Sequence, residues 1–122
     1  MKISVTASTN TGLEAEVDLR FGRAPYFAVV DSETMDVDFI NNSATKVASG
    51  AGVKGAQTIV DQNVDVVISG NFGPKAFSAL KAANLKLYVF EGGTIQNAIE
   101  EFKNKSLDEL SNPTNEAHSG LK

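Results

Sequence analysis

Four glycine-bearing segments carry most of the residues that could hold a ligand: STNTG (8–12), NNSATKVASGAG (41–52), SGNFG (69–73) and EGGT (91–94). The chemistry they suit is anion binding. Glycine lets a ligand approach the backbone, and a helix start leaves N–H groups unpaired in a partial positive potential. The candidate contacts are Asn10, Gly12, Gly50, Gly52, Ser69, Gly70, Asn71, Phe72, Gly73, Lys75, Gly92, Gly93 and Thr94. Lys46, Lys54 and Lys75 are long enough to help from the side. Phe72 interrupts a glycine turn and is expected at the surface, where it would meet a ligand or a protein. The plainer reading of these glycines is that they only turn the chain and cap helices.

Other chemistries find less support. Cysteine is absent, so thiolate nucleophiles, disulfides and cysteine-ligated clusters are excluded within the chain. The single histidine, His118, stands in a polar C-terminal stretch, which excludes a multi-histidine zinc site and a Ser-His-Asp triad. GAGVKG (50–55) fits GxGxxG letter for letter but follows a long polar loop rather than a strand, and no Walker sequence occurs. Asp31, Asp36 and Asp38 cluster around a hairpin, away from the glycine segments, and the first strand bears no acid; a two-metal nuclease needs converging carboxylates. Glu14, Glu16 and Asp18 could pair as acid and base, though nothing in their spacing demands it. With 11 basic and 15 acidic residues the net charge is -4. No basic cluster stands out, which argues against nucleic acid as a partner. No apolar run approaches a membrane span, and MKISVTAS reads as a strand rather than a signal peptide, so the expected location is cytoplasmic.

The elements that must position these segments follow from periodicity. KISVTA (2–7) alternates, with Ile3, Val5 and Ala7 on one face. YFAVVD (26–31) and DVDFI (36–40) form a hairpin through 32–35. Helices are expected at 53–62 and at 74–83, the second begun by Pro74. Strands lie at 64–69 and 86–91. Thr94 caps a third helix whose stripe is Ile95, Ala98, Ile99 and Phe102, and Ser106 with Glu109 suggests a capped final turn. From Asn112 the chain reads as a disordered tail. The order β-β-β-α-β-α-β-α implies α/β architecture with a mixed five-stranded sheet and three helices. If strands 1, 3, 4 and 5 run one way, all four glycine segments meet at one sheet edge, where open α/β sheets commonly bind ligands.

The ordered set FGRAPYF (21–27), Asn41-Asn42, GAG (50–52), SGNFGPKA (69–76) and GGT (92–94) closely resembles the dinitrogenase iron-molybdenum cofactor biosynthesis family, which includes NifX-, NifY- and NafY-like proteins and the accessory domain of NifB. The likeness spans 1–105 as a single domain, leaving 106–122 as a short turn and tail. It implies a ribonuclease-H-like three-layer fold and a non-enzymatic carrier of iron-molybdenum cofactor or its iron-sulfur precursor, working with cofactor-assembly proteins. Arg20 stands before Phe21-Gly22 where members often carry histidine. With no cysteine, a cluster would be held by outer-shell contacts, anion interactions or carboxylates, with Arg20 and Arg23 near the helix starts. Two alternatives remain from other classes. One is a small interaction module using Phe21, Tyr26 and Phe72; the other is a metal-dependent nuclease on the same fold.

Overall fold

The computed structural model describes residues 1–42 and 50–113. Six strands and three helices follow in the order β1 (Lys2–Ala7), β2 (Tyr26–Asp31), β3 (Val37–Asn41), α1 (Ala51–Val60), β4 (Val66–Ser69), α2 (Pro74–Ala82), β5 (Lys86–Val89), α3 (Ile95–Lys103) and β6 (Asp108–Glu109). A short 3-10 turn at Phe21–Arg23 precedes β2. The sheet order is β3-β2-β1-β4-β5-β6. β1 pairs antiparallel with β2 and parallel with β4, and β4 is parallel to β5. The expected mixed α/β sheet is present, with one more strand than the five anticipated. Asp108 and Glu109 pair antiparallel with Val89 and Tyr88 instead of forming a capped turn. Two residues are too few for a period, so this strand exists only because β5 offers an open edge.

Strand alternation sorts the helices onto two faces. Ile3, Val5 and Ala7 pack with Ala28, Val30, Val66 and Ile68 beneath the Ile95–Ala98–Ile99 stripe of α3. Phe27, Val29, Val67 and Leu87 pack on the opposite face beneath α1 and α2, through Ala56, Ile59, Ala76 and Leu80. Asn63, Asn84 and Lys105, which follow the three helices, have φ of 57°, 65° and 60°. Asparagine tolerates this left-handed conformation better than most residues, which explains two of the three helix ends. Among the described residues no helix is long and apolar enough to cross a membrane.

Candidate functional site

The carboxyl ends of β1 and β4 are crossed by a strap, residues 13–20. Its Asp18 N–H donates to the Thr6 carbonyl at 3.0 Å, and its Val17 N–H to the Gly93 carbonyl at 2.9 Å. The Thr6 hydroxyl donates to the Asp18 carbonyl at 2.6 Å and meets the Ser69 hydroxyl at 2.9 Å. Arg20 bridges in parallel to Asn71. Leu19 lies directly over Gly70, where an added Cβ would stand 2.4 Å from Leu19 Cβ. The strap therefore divides the edge that the strand directions bring together.

On the α1/α2 side of the strap a cleft of about 520 Å³ opens, lined by residues 20–23, 50–53, 71 and 73–76. That volume lies in the range of small-ligand sites. Small residues draw its walls together. A Cβ on Gly22 would stand 3.2 Å from the Gly52 backbone N, and one on Gly52 would stand 3.2 Å from Ala76 Cβ. The starts of α1 and α2 thus converge on the 3-10 turn. Beneath them Phe21 stacks with Phe27 and Phe72, centroids 5.5 and 5.4 Å apart. Gly55, an unfavourable residue inside a helix, leaves room for the Phe21 and Phe27 rings, which a Cβ there would meet at 3.4 Å.

Among the described residues the cations Arg20, Arg23 and Lys75 line the cleft, and no carboxylate does. The Gly52, Val53, Lys75 and Ala76 N–H groups have no backbone acceptor among the described residues. They are first-turn donors of the kind an anion can satisfy. Arg20 is already engaged: its Nε donates to Asp18 Oδ1 at 3.2 Å and one terminal nitrogen to Oδ2 at 3.1 Å. The Arg20 backbone N–H also donates to Asp18 Oδ1, at 2.9 Å. The hydrogen bond from Asp18, and then its charge, hold the Arg20 guanidinium above its ordinary pKa.

The start of α3 is closed in contrast. Ile95 and Gln96 N–H donate to the strap carbonyls of Ala15 and Leu13, at 2.9 and 3.0 Å. Thr94 and Asn97 form a reciprocal capping box, at 3.1 Å in each direction. Its first-turn donors are spent on the protein itself. The neighbouring depression of about 410 Å³ contains Gly92 but also Glu91, Glu101 and Asp108.

The expected meeting of four glycine segments is therefore corrected to a meeting of two, joined by the 3-10 turn. Arg20, Arg23, Gly50, Gly52, Asn71, Gly73 and Lys75 come together. Gly92, Gly93 and Thr94 lie across the strap, because α3 packs on the other sheet face. Asn10 is exposed in the first loop, and Gly12 adopts φ 97° in a turn that accepts the Ala15 N–H. Ser69 and Gly70 sit beneath the strap rather than in the cleft. Phe72, expected at the surface, is wholly buried, its ring filling the space under the cleft. Lys54 is exposed on α1 without lining the cleft. Lys46 and His118 fall outside the described residues. Asp31, at the far end of β2, accepts hydrogen bonds from the Glu33 and Thr34 N–H groups, so the hairpin acid organises a turn. No group of three His, Cys, Asp or Glu able to hold a metal occurs among the described residues. Gly22 and Ala76 were missed as walls of the site. Glycine directly before Arg23 and alanine two residues after Pro74 were the available signals.

A family profile described as dinitrogenase iron-molybdenum cofactor matches residues 1–105. The apo form of the orange protein from Desulfovibrio gigas superposes with a TM-score of 0.89 at 37% identity, over 93% of this chain and 95% of that one. The solution structure of a Thermotoga protein provisionally assigned to NifB superposes with a TM-score of 0.81 at 38% identity, over 94% and 97% of the two chains. An uncharacterised protein of Methanocaldococcus jannaschii is 28% identical over 113 residues, covering 90% of this chain and 92% of its own length.

Proposed function

The chain belongs to the dinitrogenase iron-molybdenum cofactor family, and from that premise we propose that it is a non-enzymatic binding or carrier protein for an anionic metallocluster. The cargo in this reading is iron-molybdenum cofactor or an iron-sulfur precursor, passed among cofactor-assembly proteins in nitrogen fixation. The observation that carries the proposal is the cleft itself: among the described residues it is lined by Arg20, Arg23 and Lys75, by two helix starts whose first-turn N–H groups have no backbone acceptor, and by no carboxylate. The similarity to a protein described in an apo form fits a ligand-holding role. We also assign the sheet and its helices to the ribonuclease-H-like class, on the strand order β3-β2-β1-β4-β5.

The fit to such a cargo is specific in kind. Among the described residues that line the cleft there is no thiol, imidazole or carboxylate to enter a metal's coordination shell. The cargo would arrive with its own ligands complete and be held from outside, by N–H groups, guanidinium and ammonium. The apolar parts of Ala51, Val53 and Pro74 would cover its less polar faces.

The test is anaerobic binding of iron-molybdenum cofactor and its iron-sulfur precursor, with iron and molybdenum assayed together. Stoichiometric binding is expected. Lys75→Gln should weaken it about two- to fivefold, since one exposed charge contact contributes about 0.5–1 kcal/mol. The salt dependence should fall with it. Absence of binding by the unmodified protein refutes the carrier role.

A further inference from the structure

β3 is the terminal strand beside β2, and none of its residues lines the cleft. The hydrogen bonds at its two ends set which residues face inward. Asp31 N–H donates to the Asp36 carbonyl at 3.0 Å, and Asn42 N–H to the Pro25 carbonyl at 2.9 Å. In an antiparallel pair such bonds recur at every second residue. Asp38 and Ile40, opposite Val29 and Phe27, therefore bond to β2. Val37, Phe39 and Asn41 turn their N–H and C=O groups outward, and among the described residues no strand takes them. We propose that this edge docks an extended, basic segment of a partner protein, which joins the sheet as a further strand.

The backbone groups supply the pairing, and the side chains on the two faces supply the preference. Val37 and Phe39 are half-buried on the α3 face, where the Phe39 ring meets Tyr26 edge-on at 6.4 Å. Alternate apolar residues of an added strand would cover them there. Asp38 lies on the opposite face. It and Asp36 are exposed, and neither makes an ion pair among the described residues. Residues 26–42 contain four acids and no lysine or arginine, so charge selects the occupant. A second copy of β3, paired antiparallel about Phe39, would set the two Asp38 side chains on one face about 7–8 Å apart. That is inside the screening length, and self-pairing is opposed. Lysine or arginine brought to the same face meets a carboxylate instead.

The probe is the end-capped peptide Lys-Val-Lys-Val-Lys-Val-Lys, with the same peptide carrying glutamate for lysine as control. Each is titrated into isotope-labelled protein at low salt and followed by backbone amide NMR. The lysine peptide should bind saturably with Kd below about 1 mM. It should shift the Val37, Phe39 and Asn41 amides and leave those of Gly52 and Ala76 in place. Asp38→Lys should weaken binding about fivefold, since an attraction is lost and a repulsion gained. Asn41→Pro removes one outward N–H while leaving the bonds to β2, and should weaken binding by a similar factor. Melting curves check that both variants are folded. If Asn41→Pro fails to fold, Asp38→Lys, a change at an exposed side chain, decides alone. The proposal is overturned by absence of saturable binding, by equal binding of the glutamate peptide, by shifts confined to other parts of the molecule, or by an Asp38→Lys variant that binds as before. Sedimentation showing that the unmodified protein pairs with itself, in a manner Asn41→Pro abolishes, would make a second copy the occupant and overturn it too.

Discussion

Replacing Gly70 by alanine tests how tightly the strap closes the sheet edge. The new Cβ would lie 2.4 Å from Leu19 Cβ and 2.7 Å from Leu19 Cα. Rotating the Leu19 side chain cannot relieve a clash with its own Cα, so the strap backbone must rise by about 1 Å to reach ordinary contact. Two hydrogen bonds hold that segment to Thr6, at 3.0 and 2.6 Å. A displacement of that size carries both out of hydrogen-bonding range, at about 1 kcal/mol each. Residual overpacking adds about 1 kcal/mol more, giving about 3 kcal/mol in total. Unfolding entropy of about 2 cal/mol/K per residue over roughly a hundred ordered residues converts this to a melting temperature lower by about 10–15 °C. Differential scanning calorimetry reads the shift directly. Gly22→Ala, whose Cβ meets nothing closer than 3.2 Å, should lose less. The same Gly70→Ala variant should weaken anion binding, since Arg20 and Asn71 are bridged beside the displaced point. A melting temperature within about 3 °C of the unmodified protein would refute a rigid strap.

Thr94→Ala removes the capping box of α3 and should destabilise the protein by about 1 kcal/mol, seen as a lower urea midpoint. Anion affinity should not change, because α3 starts on the far side of the strap; a loss of affinity would show that the strap does not separate the two sides. Asp31 accepts two turn N–H bonds, and these hold its carboxyl below the ordinary value of 3.8. A depressed carboxylate stabilises the fold above its unfolded pKa and is lost as pH falls through the lower folded value. Asp31→Asn should therefore flatten the loss of stability below about pH 4, and urea midpoints between about pH 2 and 6 check it; parallel curves for the two proteins would dismiss the turn as a source of acid sensitivity.

The sequence by itself determined the parts that follow from short-range periodicity and local chemistry. Alternation of Ile3, Val5 and Ala7 gave one strand two faces, Pro74 marked a helix start, and Thr94 marked another. Each depends on residues no more than a few positions apart. The tertiary structure decided that the start of α3 is closed. Thr94 looked as available as Gly50 or Gly73 until Leu13 and Ala15, some eighty residues earlier, arrived to take the N–H groups of α3. The burial of Phe72 was equally non-local. Its turn reads as solvent-facing because Gly70 and Gly73 flank it, but Phe21, itself packed on Phe27, is brought against it from a distant part of the sequence. β6 has no period to read and forms only against the free edge of β5. The Asp18–Arg20 pair spans two positions in the chain and could be guessed from them. That Arg20 of the pair lines a cleft depends on Gly22, Gly52 and Ala76 letting three separate segments approach within van der Waals contact. Local propensity can begin and end elements; only long-range packing fixes which of their ends remain free for a ligand.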